Sequence, residues 1–493
     1  MRARTVCLLF AAIFGYSVSA IAASCEAVRS VSLANAMITL TKLVPAGAFT
    51  AKVRGAEVFK KVPAFCRIAA TLTPTTDSDI RIEVWLPESG WNGKLESVGN
   101  GAWAGTISYT AMSTAVIAGY AAASTDTGHI GNNPNFITGH TEKVNDFSYR
   151  AVHEMTVAAK AIVAAYYDSA PKYAYFNGCS TGGRQALTEA QRYPNDYDGI
   201  LAGAPAIYTS RLQGMQVWAA KTVHKDAASY IPPNKYPAIH AAVLQQCDAL
   251  DGIKDGVLDD PTKCKVDLNA LACKEGSASS CLTAPQIEAA GKLYAGPKLF
   301  PGLEPGSELE WKTLSGKKPM SLATDVYKYL VFNNPTWDFK TIKPETDFPL
   351  AENALGISMD STDPNLKPFV DHGGKLLMYH GWSDPGIPPL NTVQYYKKVV
   401  NALGGSDKTS NSIRLFMVPG MNHCRGGAGT DKFDGIAALA RWVENGKAPD
   451  HIDASHLNAE KKVDRTRPLC PYPQVATYKG SGSTDDAANF SCK

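Results

Sequence analysis

Apolar and polar residues alternate from Ile80 to Leu86, the period-two pattern of a half-buried strand. Lys94 to Val98 reads as a second strand running straight into Gly99-Asn100-Gly101, and Gly119 to Ser124 as a short buried strand just ahead of Asp126. The spacing then changes. From Phe147 to Tyr167 it is helical, with Ala151, Met155, Ala158, Ile162 and Ala165 on one face. An aromatic strand, Tyr173 to Asn177, meets Gly178, and a helix from Gly183 to Tyr193 follows. Strand, glycine-rich turn and helix in this rhythm predict an α/β fold with a largely parallel sheet. After Gly203-Ala204-Pro205 the rhythm stops. The next stretch is rich in proline, holds four cysteines and several tryptophans and tyrosines, and has no βα alternation. Regular signals return at Lys375–Tyr379 and Ile413–Val418, followed by a helix over Asp434–Glu444 and a tail containing proline and cysteine. The expected division is a core formed by residues 23–205 and 351–493, interrupted by an inserted lid over 206–350.

The first residues differ from all the rest. Arg2 and Arg4 precede an apolar run from Val6 to Phe14, and Ala20-Ile21-Ala22 fits the small-residue cleavage pattern of a secretory signal peptide spanning 1–22. A membrane anchor needs a longer apolar run with stop-transfer flanks, and no later segment is long and apolar enough to span. Export to the periplasm or the exterior is expected. Of eleven cysteines, Cys7 lies in the leader, which leaves ten: an even number that reads as a disulfide framework in an oxidising compartment. Ligand spacing of the CxxC type is absent, which argues against a zinc site. The formal charge of +3, with basic residues scattered, gives no reason to expect a nucleic-acid partner or an anionic membrane surface. Nothing in the chain indicates its oligomeric state.

Gly178-Cys179-Ser180-Thr181-Gly182 matches G-x-S-x-G, a pattern that is cheap alone but here sits between a strand and a helix. The glycines allow a sharp turn that exposes the Ser180 hydroxyl, whereas the bland reading is an ordinary strand-to-helix turn. A serine needs a base, and His423 follows a C-terminal strand through Pro419-Gly420-Met421-Asn422. His380 is its main rival or a pocket residue; His129, His153 and His372 read as structural or rim residues. The acid expected between nucleophile and base is Asp384, in His380-Gly381-Trp382-Ser383-Asp384, ahead of Asp371, which precedes its strand. Oxyanion donors are expected from Thr181 and from Gly101, with Ala102 an alternative to Gly101. Cys179 directly precedes Ser180 and Cys424 directly follows His423, so a bond between them, with Cα atoms roughly 4.4 to 6.8 Å apart, would tie the two residues together. In the insertion, Cys247 to Val257 repeats aspartate with glycine; Asp248, Asp251 and Asp255 with intervening carbonyls suit Ca²⁺, and an Asx-turn loop fits equally well.

Gly-Cys-Ser-Thr-Gly-Gly at 178–183, Trp382-Ser383-Asp384 and Asn422-His423-Cys424 together resemble the tannase and feruloyl esterase family, which includes mono(2-hydroxyethyl) terephthalate hydrolase. Gly99-Asn100-Gly101, Ser124 to His129 and Leu330 to Trp337 resemble it too, so the likeness covers nearly the whole mature chain. It implies an α/β-hydrolase core, a Ser180–His423–Asp384 triad, and a structural Ca²⁺ in the lid on Asp248, Asp251, Asp255 and the carbonyls of Ile253 and Val257. The implied disulfides are Cys179–Cys424, Cys25–Cys66, Cys247–Cys264, Cys273–Cys281 and Cys470–Cys492. The expected activity is hydrolysis of small aromatic acid esters, feruloyl or galloyl, through an acyl-enzyme. Lid aromatics Trp311, Tyr327, Tyr329, Phe332 and Trp337 are candidates for the pocket or for lid core. A terephthalate monoester is the alternative substrate, with Arg211 and Lys328 as nominal partners for its carboxylate. A non-catalytic aromatic- or carbohydrate-binding protein on this fold is the alternative of another class.

Overall fold

A computed structural model describes residues 24–276 and 278–493; the expected leader and its cleavage site lie outside the described residues. Nine strands form one sheet: β1 (Ala36–Val44), β2 (Phe65–Leu72), β3 (Ile80–Pro87), β4 (Lys94–Val98), β5 (Ala121–Thr125), β6 (Tyr173–Cys179), β7 (Gly199–Gly203), β8 (Lys375–Gly381) and β9 (Ile413–Val418). Their order is β1-β2-β3-β5-β4-β6-β7-β8-β9. Pairings from β1 to β5 are antiparallel, and every pairing from β5 to β9 is parallel. This is the expected α/β-hydrolase core, a parallel sheet with an antiparallel extension.

Side-chain alternation sorts the core into two layers. Ile80, Ile82, Val84 and Leu86 of β3, Leu376 and Met378 of β8, and Ile413 and Leu415 of β9 face one side. There they meet helices α2 (Ala151–Tyr167), α3 (Thr181–Arg192) and α5 (Pro389–Ala402). Trp85, Leu377, Phe416 and Val418 face the other side, against α1 (Tyr109–Ile117) and α6 (Gly435–Asn445). The strand at Ile80–Leu86 is more deeply buried than its alternation predicts, since only Arg81 is exposed. Its Glu83 stays inside because Arg67 (2.5 and 2.8 Å), the Trp85 indole N–H (2.8 Å) and the Tyr109 hydroxyl (2.9 Å) all donate to it.

Two boundaries moved for local reasons. The helix expected from Phe147 opens as a π-turn over Asp146–Arg150 before regular winding at Ala151. The helix expected from Gly183 starts at Thr181, immediately after Ser180. Strand β1 escaped notice because it is an edge strand whose exposed face carries Met37 and Leu43.

Between β7 and β8 the chain leaves the sheet and folds as helices and loops around a separate apolar cluster. Helix α4 (Thr209–Val223) runs through that cluster, beside Tyr236, Trp311, Tyr327 and Phe348, all buried. The helix Pro344–Ala351 continues as a π-turn over Glu352–Gly356, and the chain re-enters the sheet at Lys375.

Candidate active site

Parallel pairing brings the carboxyl ends of β4, β6, β7, β8 and β9 to one edge, the place where open α/β sheets hold ligands. Ser180 sits there, between the last residue of β6 and the first of α3. Its φ of 66° is unusual for a residue with a side chain. The turn survives because neighbouring glycines let backbones touch: a Cβ on Gly178 would lie 2.4 Å from the Gly182 carbonyl oxygen, and one on Gly183 would lie 2.2 Å from that of Gly203. The Ser180 amide donates to the Gly203 carbonyl (2.9 Å), locking the turn onto β7.

His423 follows β9 and lines the same cavity as Ser180. Its Nδ1 lies 2.6 Å from Asp384 Oδ2. Asp384 is fully buried after β8, and its Oδ1 accepts from the amides of Gly386 (2.7 Å) and Ile387 (3.0 Å). Burial pushes the Asp384 carboxyl up, but the charge and hydrogen bonds of His423 and His380 outweigh it and hold the group well below the usual carboxylate range. For His423, desolvation pulls down while Asp384 pulls up, and the net direction is up. The Cys179–Cys424 disulfide, with Cα atoms 6.1 Å apart, joins the residue before Ser180 to the residue after His423 across a sequence separation of 245. The other four disulfides are Cys25–Cys66, Cys247–Cys264, Cys273–Cys281 and Cys470–Cys492.

His380, the rival base, is fully buried behind Asp384 and does not line the cavity. Its Nε2 faces two acceptors, Asp384 Oδ2 (3.1 Å) and the Ile387 carbonyl (3.0 Å), so Nε2 carries the proton. Its Nδ1 lies 2.7 Å from the Thr392 hydroxyl. Asp371 is exposed and pairs with Lys367, and His372 is exposed. His129 is buried, stacked on Phe136 and bonded to the Trp103 carbonyl (2.7 Å).

The loop after β4 is fastened to α3. Asn100 and Gln185 exchange hydrogen bonds of 3.0 and 3.1 Å, and the Thr181 hydroxyl donates to the Ala102 carbonyl at 2.8 Å. Ala102, with φ of 48°, lines the cavity with Thr181, whereas Gly101 is exposed and does not. Among the described residues, the amides of Ala102 and Thr181 donate to no protein acceptor.

The cavity holds about 460 Å³. Trp103 and Phe147 from the core and Leu212, Met320 and Leu322 from the insertion give it apolar walls, and Arg425 adds an exposed cation. None of the five aromatics expected from the insertion lines it. Trp311 is buried against Tyr294, and Tyr327, Phe332 and Trp337 pack on one another at 5.1 to 5.9 Å, because a strandless insertion must build its own core. Arg211 is taken up by Glu352 (2.5 Å), and Lys328 lies off the cavity.

Just beyond the Asp-Gly repeat the acidic loop contains a fourth carboxylate, Asp259. Asp248 accepts from the Gly256 amide (3.1 Å), Asp251 from Ile253 (2.9 Å), and Asp255 from Val257 (3.2 Å) and from the Arg467 guanidinium. No three of these side chains come within 4.8 Å of one another. Desolvation pushes Asp259 up to about 7, with Asp251 and Asp255 adding to the rise. Crowded carboxylates interleaved with the Ile253 and Val257 carbonyls are hard oxygen donors, and that chemistry fits Ca²⁺.

The tannase and feruloyl esterase family model matches residues 66–330 and 320–493. The chain is 37% identical to an uncharacterized esterase of Xanthomonas campestris, covering 95% of this chain and 91% of that one. It is 32% identical to feruloyl esterase B of Aspergillus niger, covering 94% of each. The crystal structure of feruloyl esterase B from Aspergillus oryzae superposes with a TM-score of 0.87 at 33% identity, over 95% of this chain and 99% of that one. The chain therefore belongs to the tannase and feruloyl esterase family and is a carboxylic-ester hydrolase.

Proposed function

We propose that the protein is an exported serine esterase that cleaves esters of aromatic acids through an acyl-enzyme on Ser180. The observation that carries this reading is the 2.6 Å contact of His423 Nδ1 with buried Asp384, on a cavity that His423 shares with Ser180. With Nδ1 committed to Asp384, Nε2 is left to take the Ser180 proton. Ser180 Oγ adds to the ester carbonyl and the oxyanion turns to the amides of Thr181 and Ala102, the second of these replacing Gly101 on grounds of position. His423 then gives its proton to the departing alkoxide. Water, deprotonated in turn by His423, adds to the acyl-enzyme, and Ser180 leaves with the proton as the acid is freed.

Apolar walls that include two rings, Trp103 and Phe147, suit a hydroxycinnamoyl or galloyl group. One observation favours the terephthalate monoester as a second reading: Arg425 reaches the cavity and has no acidic partner among the described residues, as recognition of a substrate carboxylate requires. The insertion acts as the lid in this scheme, since it contributes one wall. Its acidic loop would hold Ca²⁺ through Asp248, Asp251 and Asp255 with the Ile253 and Val257 carbonyls, where positive charge would offset the carboxylates and pin the loop. Five disulfides and the leader-like first residues support export; no helix among the described residues is long and apolar enough to cross a membrane.

The test is hydrolysis of methyl ferulate, methyl gallate and a terephthalate monoester by the wild type and by Ser180→Ala. The variant should lose roughly 10⁶-fold in kcat. Binding of these esters without turnover by the wild type would favour the non-catalytic alternative instead.

A further inference from the structure

Outside the cavity, the structure gathers three side chains for which the proposed reaction has no use. Among the described residues, His153, Glu189 and Asp196 are the one set of three histidine, cysteine or acidic side chains whose ligand atoms all lie within 4.8 Å of one another. His153 is in the first turn of α2, Glu189 is one turn from the end of α3, and Asp196 is in the turn that follows α3. The absence of CxxC spacing says nothing about such a set, which contains no cysteine and is brought together only by the packing of α2 on α3.

Glu189 makes this more than an acidic cluster. It is completely buried, and among the described residues its carboxylate oxygens find no cationic, amide or hydroxyl donor; what lies against them is the carboxyl of Asp196. Buried carboxylates are ordinarily paired, hydrogen-bonded or bound to a metal, and one left bare is among the costlier defects in a fold. The cation near it is engaged elsewhere: Lys160 donates to the Asp196 backbone carbonyl and lies over the Tyr197 ring. His153 is aligned, with its ring stacked on Tyr193 at 3.8 Å and 7° and Nδ1 2.7 Å from Asp196 Oδ2. Its side chain and that of Asp196 are 28% and 14% exposed, which leaves an approach from solvent to the buried Glu189.

We propose that His153, Glu189 and Asp196 form a site for a divalent transition-metal ion. One imidazole nitrogen and two carboxylate oxygens are ligands that Zn²⁺ accepts, and their two negative charges match its own. Three protein ligands leave a position for water on the exposed side. The ion ties α2 to the far end of α3, the helix that begins at Ser180, and its role is structural, since none of the three residues lines the cavity.

Full-length mature enzyme, stripped with a chelator and returned to Ca²⁺, is incubated with Zn²⁺ and desalted, and bound zinc is measured by elemental analysis. One equivalent of zinc is expected in the wild type and in Asp251→Asn, and less than one tenth of that in His153→Gln and Glu189→Gln. Zn²⁺ should also raise the melting temperature of the wild type and leave that of His153→Gln unmoved. His153→Gln changes a partly exposed side chain, so it serves if Glu189→Gln fails to fold. Zinc-free wild type, or full retention of zinc by His153→Gln, overturns the proposal and leaves Glu189 and Asp196 as a pair sharing a proton.

Discussion

His380 and His423 bind the same oxygen of Asp384, at 3.1 and 2.6 Å. Only His423 reaches the cavity, so His380 positions the acid and does not touch substrate. Removing it takes away one hydrogen bond to a charged group, about 1.5–3 kcal/mol, or roughly 10- to 100-fold in rate if felt wholly in the transition state. His380→Ala should therefore lower kcat by that factor with KM little changed. Steady-state kinetics on methyl ferulate checks it, and an unaltered kcat would remove His380 from the site's support.

The pH profile follows from the direction of the His423 shift. His423 must be neutral to accept the Ser180 proton, and Asp384 favours its charged form, so activity should appear with a midpoint above the ordinary 6.5. In Asp384→Asn that support is gone and desolvation remains, so the midpoint should move to lower pH while kcat falls by about 10⁴-fold. A midpoint that stays put would mean that another group governs the acid limb.

The Cys179–Cys424 bond should matter to catalysis beyond its share of stability. A disulfide typically contributes about 2–4 kcal/mol, and this one also joins the neighbours of Ser180 and His423. Cys179→Ala with Cys424→Ala should lower kcat even at temperatures where circular dichroism reports a folded chain. Full activity in that double variant would deny the bond any part in alignment.

Chelation separates the calcium reading from the esterase reading. Removing Ca²⁺ should lower the melting temperature, by an amount set by RT ln(1 + [L]/Kd), and adding Ca²⁺ back should restore it. Asp251→Asn should melt like the stripped wild type and no longer respond to Ca²⁺. An unchanged midpoint on chelation sinks the ion but leaves Ser180 chemistry untouched.

Aromatic residues of the core and of the insertion should fail in different ways. Trp103→Ala removes a cavity wall and should raise KM for methyl ferulate several-fold more than for methyl acetate. Trp311→Ala opens a void in the insertion's core and should cost about 3–5 kcal/mol in stability, with KM for the aromatic ester close to wild type at temperatures where it stays folded.

The sheet core could be read from the sequence because β3 alternates apolar and polar residues, because β8 and β9 are short apolar runs of the kind a strand covered on both faces shows, and because the Ser180 turn carries its own local requirement for glycine at 178 and 183. The insertion has no such repeat. Whether Trp311 lines a pocket or fills a core depends on Tyr294 and Ser307, which its neighbours in sequence do not reveal. Leu212 and Met320 reach the cavity from segments more than one hundred residues apart, and no spacing rule links them. His380 carries a signal, four residues before Asp384 at the end of β8, but that position suits a base or a support equally, and only the burial of its ring separates the two.

The covalent tie between Cys179 and Cys424 has an implication for how such enzymes diversify. One end closes β6 and the other lies in the loop after β9, both outside the insertion, so the distance between nucleophile and base does not depend on how many residues the chain spends between β7 and β8. That stretch is free to lengthen, shorten or be exchanged as a cassette while the reactive groups stay in register. Grafting a different insertion onto this clasped framework is thus a direct route to new acyl specificities.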